Sequence, residues 1–343
     1  MKRDDATAIV SAEILERIYE TMQIGTEGST QDVAEEDVNP DHYLHVINAF
    51  DMPWWTFNSE RKAFEKSPNK PSIGGSPASR AQFLRDRYNI IKQVVLRNEH
   101  FSPPAVPGKD RDSYLKLTTT KNLLGRAGQA FMLFGMLAHT PDGKLCLEDL
   151  DGRVELDIRT TGPCEGLFTE GSMVLCEGIY TDEETLSVEA IGHPPSEKRE
   201  VARSVFGHVD FLGKGATTLV EEELVIYRED MMSRMLRNLV GIKRAVGDAD
   251  LKKYLVQTLL DQAHLSPISL NIQPTLWEFD QSLRLYPMPT AVVLADKYER
   301  YELTYEGCHV FNPGSFLGSS YGFSMWLPQD KISEPSELDQ DED

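Results

Sequence analysis

Cysteine is scarce in this chain, and positive charge is outweighed. The 343 residues carry four cysteines, Cys146, Cys164, Cys176 and Cys308, with no Cys-X-X-Cys spacing and no histidine at matching offsets. That arrangement argues against a zinc site, and the thiols are expected to be buried, reduced and in strands. Lys and Arg number 35 against 55 Asp and Glu, a formal net charge of -20. Such a balance excludes a generally cationic surface that would hold nucleic acid by neutralising phosphates. Any DNA contact is expected to be local or made through a partner. No stretch approaches the roughly 18 apolar residues of a membrane span, and the charged start MKRDD is not followed by a signal-peptide core. There is no Gly-rich phosphate loop, nucleophile elbow, paired-carboxylate signature or internal repeat. A soluble intracellular protein with no membrane partner is expected.

The apolar content of 40% is that of a globular protein, and the length accommodates two domains. Val10, Ile14, Ile18 and Met22 share one face of an amphipathic helix over residues 9–24, followed by an acidic stretch over 25–41. A second helix is predicted from Pro77 to Arg97, with Ser76 as N-cap, Pro77 in the first turn and a packing stripe of Leu84, Tyr88, Ile91 and Val95. Short apolar strands then fit residues 130–138, 144–148, 154–158, 173–179 and 186–191, with turns at 141–143 and 151–152. Five strands with a short segment, 163–170, between the third and fourth have the layout of an OB fold.

An OB barrel that binds single strands needs a cationic groove and stacking aromatics. From Tyr114 to His193, six basic residues (Lys116, Lys121, Arg126, Lys144, Arg153, Arg159) stand against thirteen acidic ones, and Phe131, Phe134, Phe168 and Tyr180 are the aromatics after Tyr114. A protein-binding barrel is the expectation, with single-stranded DNA binding as the alternative. Beyond Pro194 lie a charged linker (196–200) and two helices, one with Met232, Met235, Leu236, Leu239 and Val240 on a face, the other over 251–262. Strands fit 290–294, 309–312 and 323–326, and the acidic tail from residue 332 is expected to be disordered.

Several short segments, in a shared order, carry a resemblance. They are FNSERK (57–62), the pattern Arg87, Tyr88, Ile90, Gln93, Arg97, Glu99, Phe101, Pro103, Pro104, then LEDLDGRVELDI (147–158), YRED (227–230), HLSP (264–267) and NPGSF (312–316). Together they resemble the B-subunit family of replicative DNA polymerases, in its epsilon-type branch. The implied fold is a mixed α+β one: a helical N-terminal region and linker (1–110), an OB-fold barrel (111–195), a truncated, inactive calcineurin-like phosphoesterase domain (196–331) and the tail (332–343). Residues 205–213 resemble the start of that phosphoesterase domain, and 224–230 a point past its middle. The half that supplies the Asp, Asn and first His ligands in active relatives is absent, at a join within 214–218.

Where an active phosphoesterase ends a strand with Gly-His-X-His, this chain has Ala295, Asp296, Lys297 and Tyr298. A two-metal hydrolase needs clustered imidazoles and carboxylates. The Lys297 ammonium opposes a cation and Tyr298 is a poor ligand with its proton on, so Asp296 is read as a polar strand exit. His264 in HLSP is read as capping or packing, His208 in GHVD as a chance imitation within a strand-like stretch, and Gly314 as a backbone requirement of a turn. Trp54 and Trp55 are read as packing that pins a linker onto the OB barrel, a partner hot spot being the alternative. No catalytic, cofactor-binding or metal residue is assigned, and no cofactor is expected. The resemblance implies a non-enzymatic nuclear accessory subunit whose two modules clasp the zinc-containing C-terminal region of the DNA polymerase epsilon catalytic subunit. Other replication factors and DNA would be reached through that complex. The alternatives are an autonomous single-stranded DNA binder and a residual metallophosphodiesterase. A truncated half-domain is also expected to lack a complete core of its own, leaving apolar faces in water.

Overall fold

Ser76 and Pro77 open the longest helix through their local chemistry. The computed structural model describes residues 44–103, 114–213, 222–244, 251–318 and 321–338. A hairpin of β1 (Trp55–Asn58) and β2 (Ala63–Lys66) precedes α1 (Pro77–Arg97). The Ser79 N–H donates to Ser76 Oγ at 3.0 Å and the Ser76 N–H to Ser79 Oγ at 2.8 Å, a reciprocal box that satisfies two amides at the helix start. Tyr88, Ile91 and Val95 are buried against Phe134 and Met173, while Ile90 and Val94 are buried against Phe57, Phe206 and Tyr286. The expected stripe is therefore too narrow, because α1 is covered on two sides.

The next strands are β3 (Leu117–Thr118), β4 (Ala130–His139), β5 (Leu145–Glu148), β6 (Arg153–Asp157), β7 (Met173–Tyr180) and β8 (Thr185–Gly192). They follow the order β3-β4-β5-β6-β8-β7, and β7 also pairs with β4, which closes β4 to β8 into a five-stranded barrel. β6 and β8 run parallel and the other barrel pairs antiparallel. This is the OB arrangement expected from the sequence. Alternation turns Leu133, Leu137, Leu147, Val174, Leu186 and Val188 into its interior.

The remaining elements are α2 (Arg199–Phe206), β9 (Leu224–Tyr227), α3 (Met231–Arg237), α4 (Leu251–Asp261), β10 (Ala291–Leu294), β11 (Tyr301–Tyr305), β12 (Cys308–Asn312), β13 (Gly322–Leu327) and β14 (Ile332–Glu337). A mixed sheet has the order β11-β12-β10-β9, in which β9, β10 and β12 are parallel and β11 is antiparallel. One face, with Val292, Leu294 and Val310, packs on Met231, Met232, Met235, Leu255 and Leu259 of α3 and α4. On the other face Trp326 of the β13–β14 hairpin stacks against His309 at 5.6 Å and Phe311 at 6.0 Å.

The C-terminal half thus has a substantial core, contrary to the expectation from truncation. It is also sealed onto the barrel. The Ser269 N–H donates to the Glu170 carbonyl at 2.7 Å and the Val240 N–H to that of Phe168 at 2.9 Å. The Gln262 amide brackets Met173, accepting its N–H and donating to its carbonyl, both at 2.7 Å. The described residues from Asn48 onward belong to one compact unit.

Other expectations change as well. Residues 332–337 form β14, paired with β13 from Ile332↔Leu327 to Glu337↔Gly322, rather than a disordered tail. The stretch before His208 is the helix α2, and His208 is exposed in the turn that follows it, not in a strand. Cys146, Cys176 and Cys308 are buried in strands and burial raises their thiols above the usual range, while Cys164 is half-buried outside the strands. The helix expected over 9–24 and the join within 214–218 lie outside the described residues.

Candidate functional site

Asp296 lies two residues past the end of β10, and folding spends both of its oxygens. Oδ2 accepts the Met232 N–H at 2.8 Å, in the first turn of α3, and Oδ1 accepts the Tyr298 N–H at 3.0 Å. Asp230 stands nearby with Lys297 Nζ at 3.3 Å and Arg228 Nη1 at 2.9 Å. Burial raises the Asp230 carboxyl, and these two cations outweigh it and hold the group below its ordinary value. A carboxylate serving as a helix cap, with an ammonium in the next position, does not fit a two-metal centre. Among the described residues, no group of three or more His, Cys, Asp or Glu could hold a metal ion.

His264 is 3% exposed and its two ring nitrogens have different duties. Nδ1 accepts the Ser266 N–H at 2.9 Å, so Nε2 carries the proton and donates to Asp280 Oδ1 at 2.9 Å. Burial and the nearby Arg87 lower its pKa, consistent with a neutral ring. Asp280 also accepts Arg284 Nε at 3.1 Å, and Arg284 Nη1 donates to the Trp55 carbonyl at 2.7 Å. HLSP therefore anchors a buried polar network that reaches the N-terminal hairpin. Asp280 and Arg284 carried no signal in the sequence, since each is one polar residue in a run without periodicity.

The barrel offers little to a single strand of nucleic acid. Lys144 pairs with Glu155 at 2.8 Å, Arg159 with Asp157 at 2.7 Å and Arg153 with Glu148 at 3.8 Å, while Arg126 lies over the Phe131 ring at 4.7 Å. Phe131, Phe134, Phe168 and Tyr180 are all buried, so none is a stacking platform. Trp55 Nε1 donates to the Asp210 carbonyl at 3.0 Å and its ring lies 6.2 Å from Phe211. That pins the hairpin to the stretch after α2, not to the barrel as expected. Gly314, with φ of 76°, turns the chain after β12 and donates its N–H to Asn312 Oδ1 at 3.0 Å.

Fold and surface together define an OB-barrel protein with an appended mixed α/β sheet, its polar clusters used internally. Residues 77–195 match a family model described as the OB-fold domain of DNA polymerase epsilon subunit 2-like proteins, and residues 216–302 one described as the B subunit of DNA polymerases alpha and epsilon. DNA polymerase epsilon subunit 2 of Homo sapiens is 25% identical over 461 aligned positions, covering 91% of this chain and 87% of the relative. The DNA polymerase epsilon B subunit of Schizosaccharomyces pombe is 24% identical over 462, covering 88% and 78%. That of Yarrowia lipolytica is 35% identical over 183 residues, covering 52% and 26%. The chain belongs to the B-subunit family of DNA polymerase epsilon. Because 91% of 343 residues is about 312, roughly 150 of the 461 positions aligned with the human relative carry no residue of this chain.

Proposed function

We propose that this chain is a non-catalytic accessory subunit of a DNA polymerase epsilon complex, acting in nuclear DNA replication as a scaffold for the zinc-containing C-terminal region of the catalytic subunit. The observation that carries this reading is similarity along 91% of the chain to a relative named as the second subunit of that polymerase. The internal use of Asp296, Asp230 and His264 supports a scaffold over a hydrolase, and the paired cations and buried aromatics of the barrel support protein contact over autonomous DNA binding. DNA is then reached through the assembled complex, because a net charge of -20 on this chain opposes direct contact with phosphates. The test is co-expression with the C-terminal region of the catalytic subunit, followed by size-exclusion chromatography at about 0.15 M salt. The expected result is co-elution in equal amounts. Separate elution of two folded proteins would count against the scaffold reading.

A further inference from the structure

The sheet of the C-terminal half ends on an open strand. β9 is last in the order β11-β12-β10-β9, and among the described residues no strand pairs with its outer edge. Val225 and Tyr227 pack into the core, whereas Leu224 and Ile226 on the opposite face are 38% and 71% exposed. Glu222 and Arg228 continue that face in both directions as exposed residues, although the Glu222 side chain, beside Lys331, is itself 28% exposed. The β13–β14 hairpin shields His309 and Phe311 on this face but leaves Ile226 open.

Backbone geometry says which groups the open edge presents. The Ala291 N–H donates to the Glu223 carbonyl at 3.0 Å and the Ala295 N–H to that of Tyr227 at 2.9 Å. Odd-numbered residues therefore turn their polar groups toward β10, and strand alternation points the N–H and C=O of Leu224 and Ile226 outward. An edge with apolar side chains and unpaired backbone groups is a template for another strand.

We propose that β9 pairs antiparallel with β9 of a second copy of this chain, about a two-fold axis at Val225, joining two four-stranded sheets into one of eight. In this register Leu224 faces the second copy's Ile226, and Glu222 faces the second copy's Arg228, each twice by symmetry. The outward-pointing N–H and C=O groups of positions 224 and 226 meet one another as hydrogen-bonded pairs. Sliding the copies by two residues either way sets Leu224 against Leu224 or Ile226 against Ile226, and breaks both charge pairs. The order Glu-x-Leu-x-Ile-x-Arg over 222–228 is its own complement when reversed, which favours a second copy over an unrelated strand. Present partners leave the pairing open: Glu222 is 4.0 Å from Lys331, and Arg228, with a side chain 59% exposed, meets an Asp230 side chain that is 29% exposed. The net charge of -20 on each copy opposes association at low salt, where the screening length is about 30 Å at 0.01 M, and is screened at about 0.15 M.

Sedimentation velocity of the full chain between about 1 and about 200 µM, at about 0.15 M salt, tests the idea. The expected result is a concentration-dependent monomer–dimer equilibrium. Arg228→Glu makes both symmetry-related charge pairs repulsive and is expected to weaken the dimer about tenfold, while the double exchange Glu222→Arg with Arg228→Glu restores it. Ile226→Pro removes an outward N–H without touching a bond to β10 and is expected to leave only monomer. The two exposed charge variants decide the matter even if the proline variant fails to fold. A chain that stays monomeric throughout overturns the proposal. So does a dimer indifferent to Arg228→Glu, or one that the double exchange does not restore.

Discussion

Asp261 ends α4 with a carboxyl that folding prefers to keep protonated. It is buried, its Oδ1 accepts the Tyr305 hydroxyl at 3.0 Å, and burial outweighs that hydrogen bond to raise its pKa to about 7. A folded pKa above the unfolded value of about 3.9 means that the native state binds the proton more tightly. Stability is therefore lost as pH rises from about 4 to about 7, and the loss is constant above that. Asp261→Asn removes the cost, and the expected gain in melting temperature is clearly larger at pH 8 than at pH 5. The gain at pH 8 corresponds to stabilisation on the order of 3 kcal/mol. An equal gain at both pH values, measured by calorimetry, would mean that the carboxyl is ionised in the fold. Asp280 behaves oppositely. Burial raises it, but His264, Arg284 and Arg87 bring it down to about 2, so its contribution is present above about pH 4 and fades as acid approaches pH 2.

At the scale of elements, the seam between barrel and C-terminal half rests on a glycine. Gly171 precedes β7 with φ of 94°, and a Cβ there would lie 2.7 Å from the Ser269 nitrogen and 2.9 Å from the Ile268 carbonyl carbon. Gly171→Ala forces strained backbone and a backbone clash together, with an expected loss of about 2 to 4 kcal/mol, read as a lowered denaturation midpoint. Wild-type stability would mean that the close approach is not maintained in solution. How far the elements could be read from sequence follows the same physics. Ser76 and Pro77 fixed the start of α1 because capping is local, and the five barrel strands showed because alternation with turn residues is local too. β14 was invisible, since Ser-Glu-Pro-Ser-Glu has no apolar alternation; it becomes a strand through pairing with β13 and through Ser333 Oγ, which donates to Glu302 at 2.8 Å and meets His309 Nε2 at 2.9 Å. Pro335 is tolerated there because β14 has a single neighbour. The roles of Gln262 and of Arg284 toward Trp55 were hidden for a related reason, as those partners are backbone groups 89 and 229 residues away.

For the whole molecule the question is whether the barrel can outlast the half that follows it. The truncation expected from the sequence would mean that it can, because apolar faces left in water forfeit about 25 cal/mol per Å². The seam argues otherwise. Leu167, from the segment between β6 and β7, is buried in the same cluster as Leu255 and Leu259 of α4, and the Leu167 N–H donates to Thr258 Oγ1 at 2.9 Å. His193, just past the last barrel strand, stacks on Phe168 at 4.2 Å and meets the Gln262 amide at 3.0 Å. Burial lowers the His193 pKa to about 3, so this imidazole joins the seam neutral at every physiological pH. A third link lies at the end of α1, where Arg97 holds Glu197 through two bonds of 2.8 and 2.7 Å and the Tyr286 hydroxyl at 2.9 Å. Losing the C-terminal half would thus unroof one end of the barrel and strand buried donors and acceptors, each at about 1 to 3 kcal/mol. Unfolding of the two as one cooperative unit is the expected outcome, with a single calorimetric transition. Native-state hydrogen exchange should give the slowest amides of β4, around Leu133, and of α4, around Leu255 and Leu259, opening free energies that agree within about 1 kcal/mol. If α4 exchanges through a much cheaper opening while β4 stays protected, the barrel stands alone and the seam is only a contact between two independently stable parts.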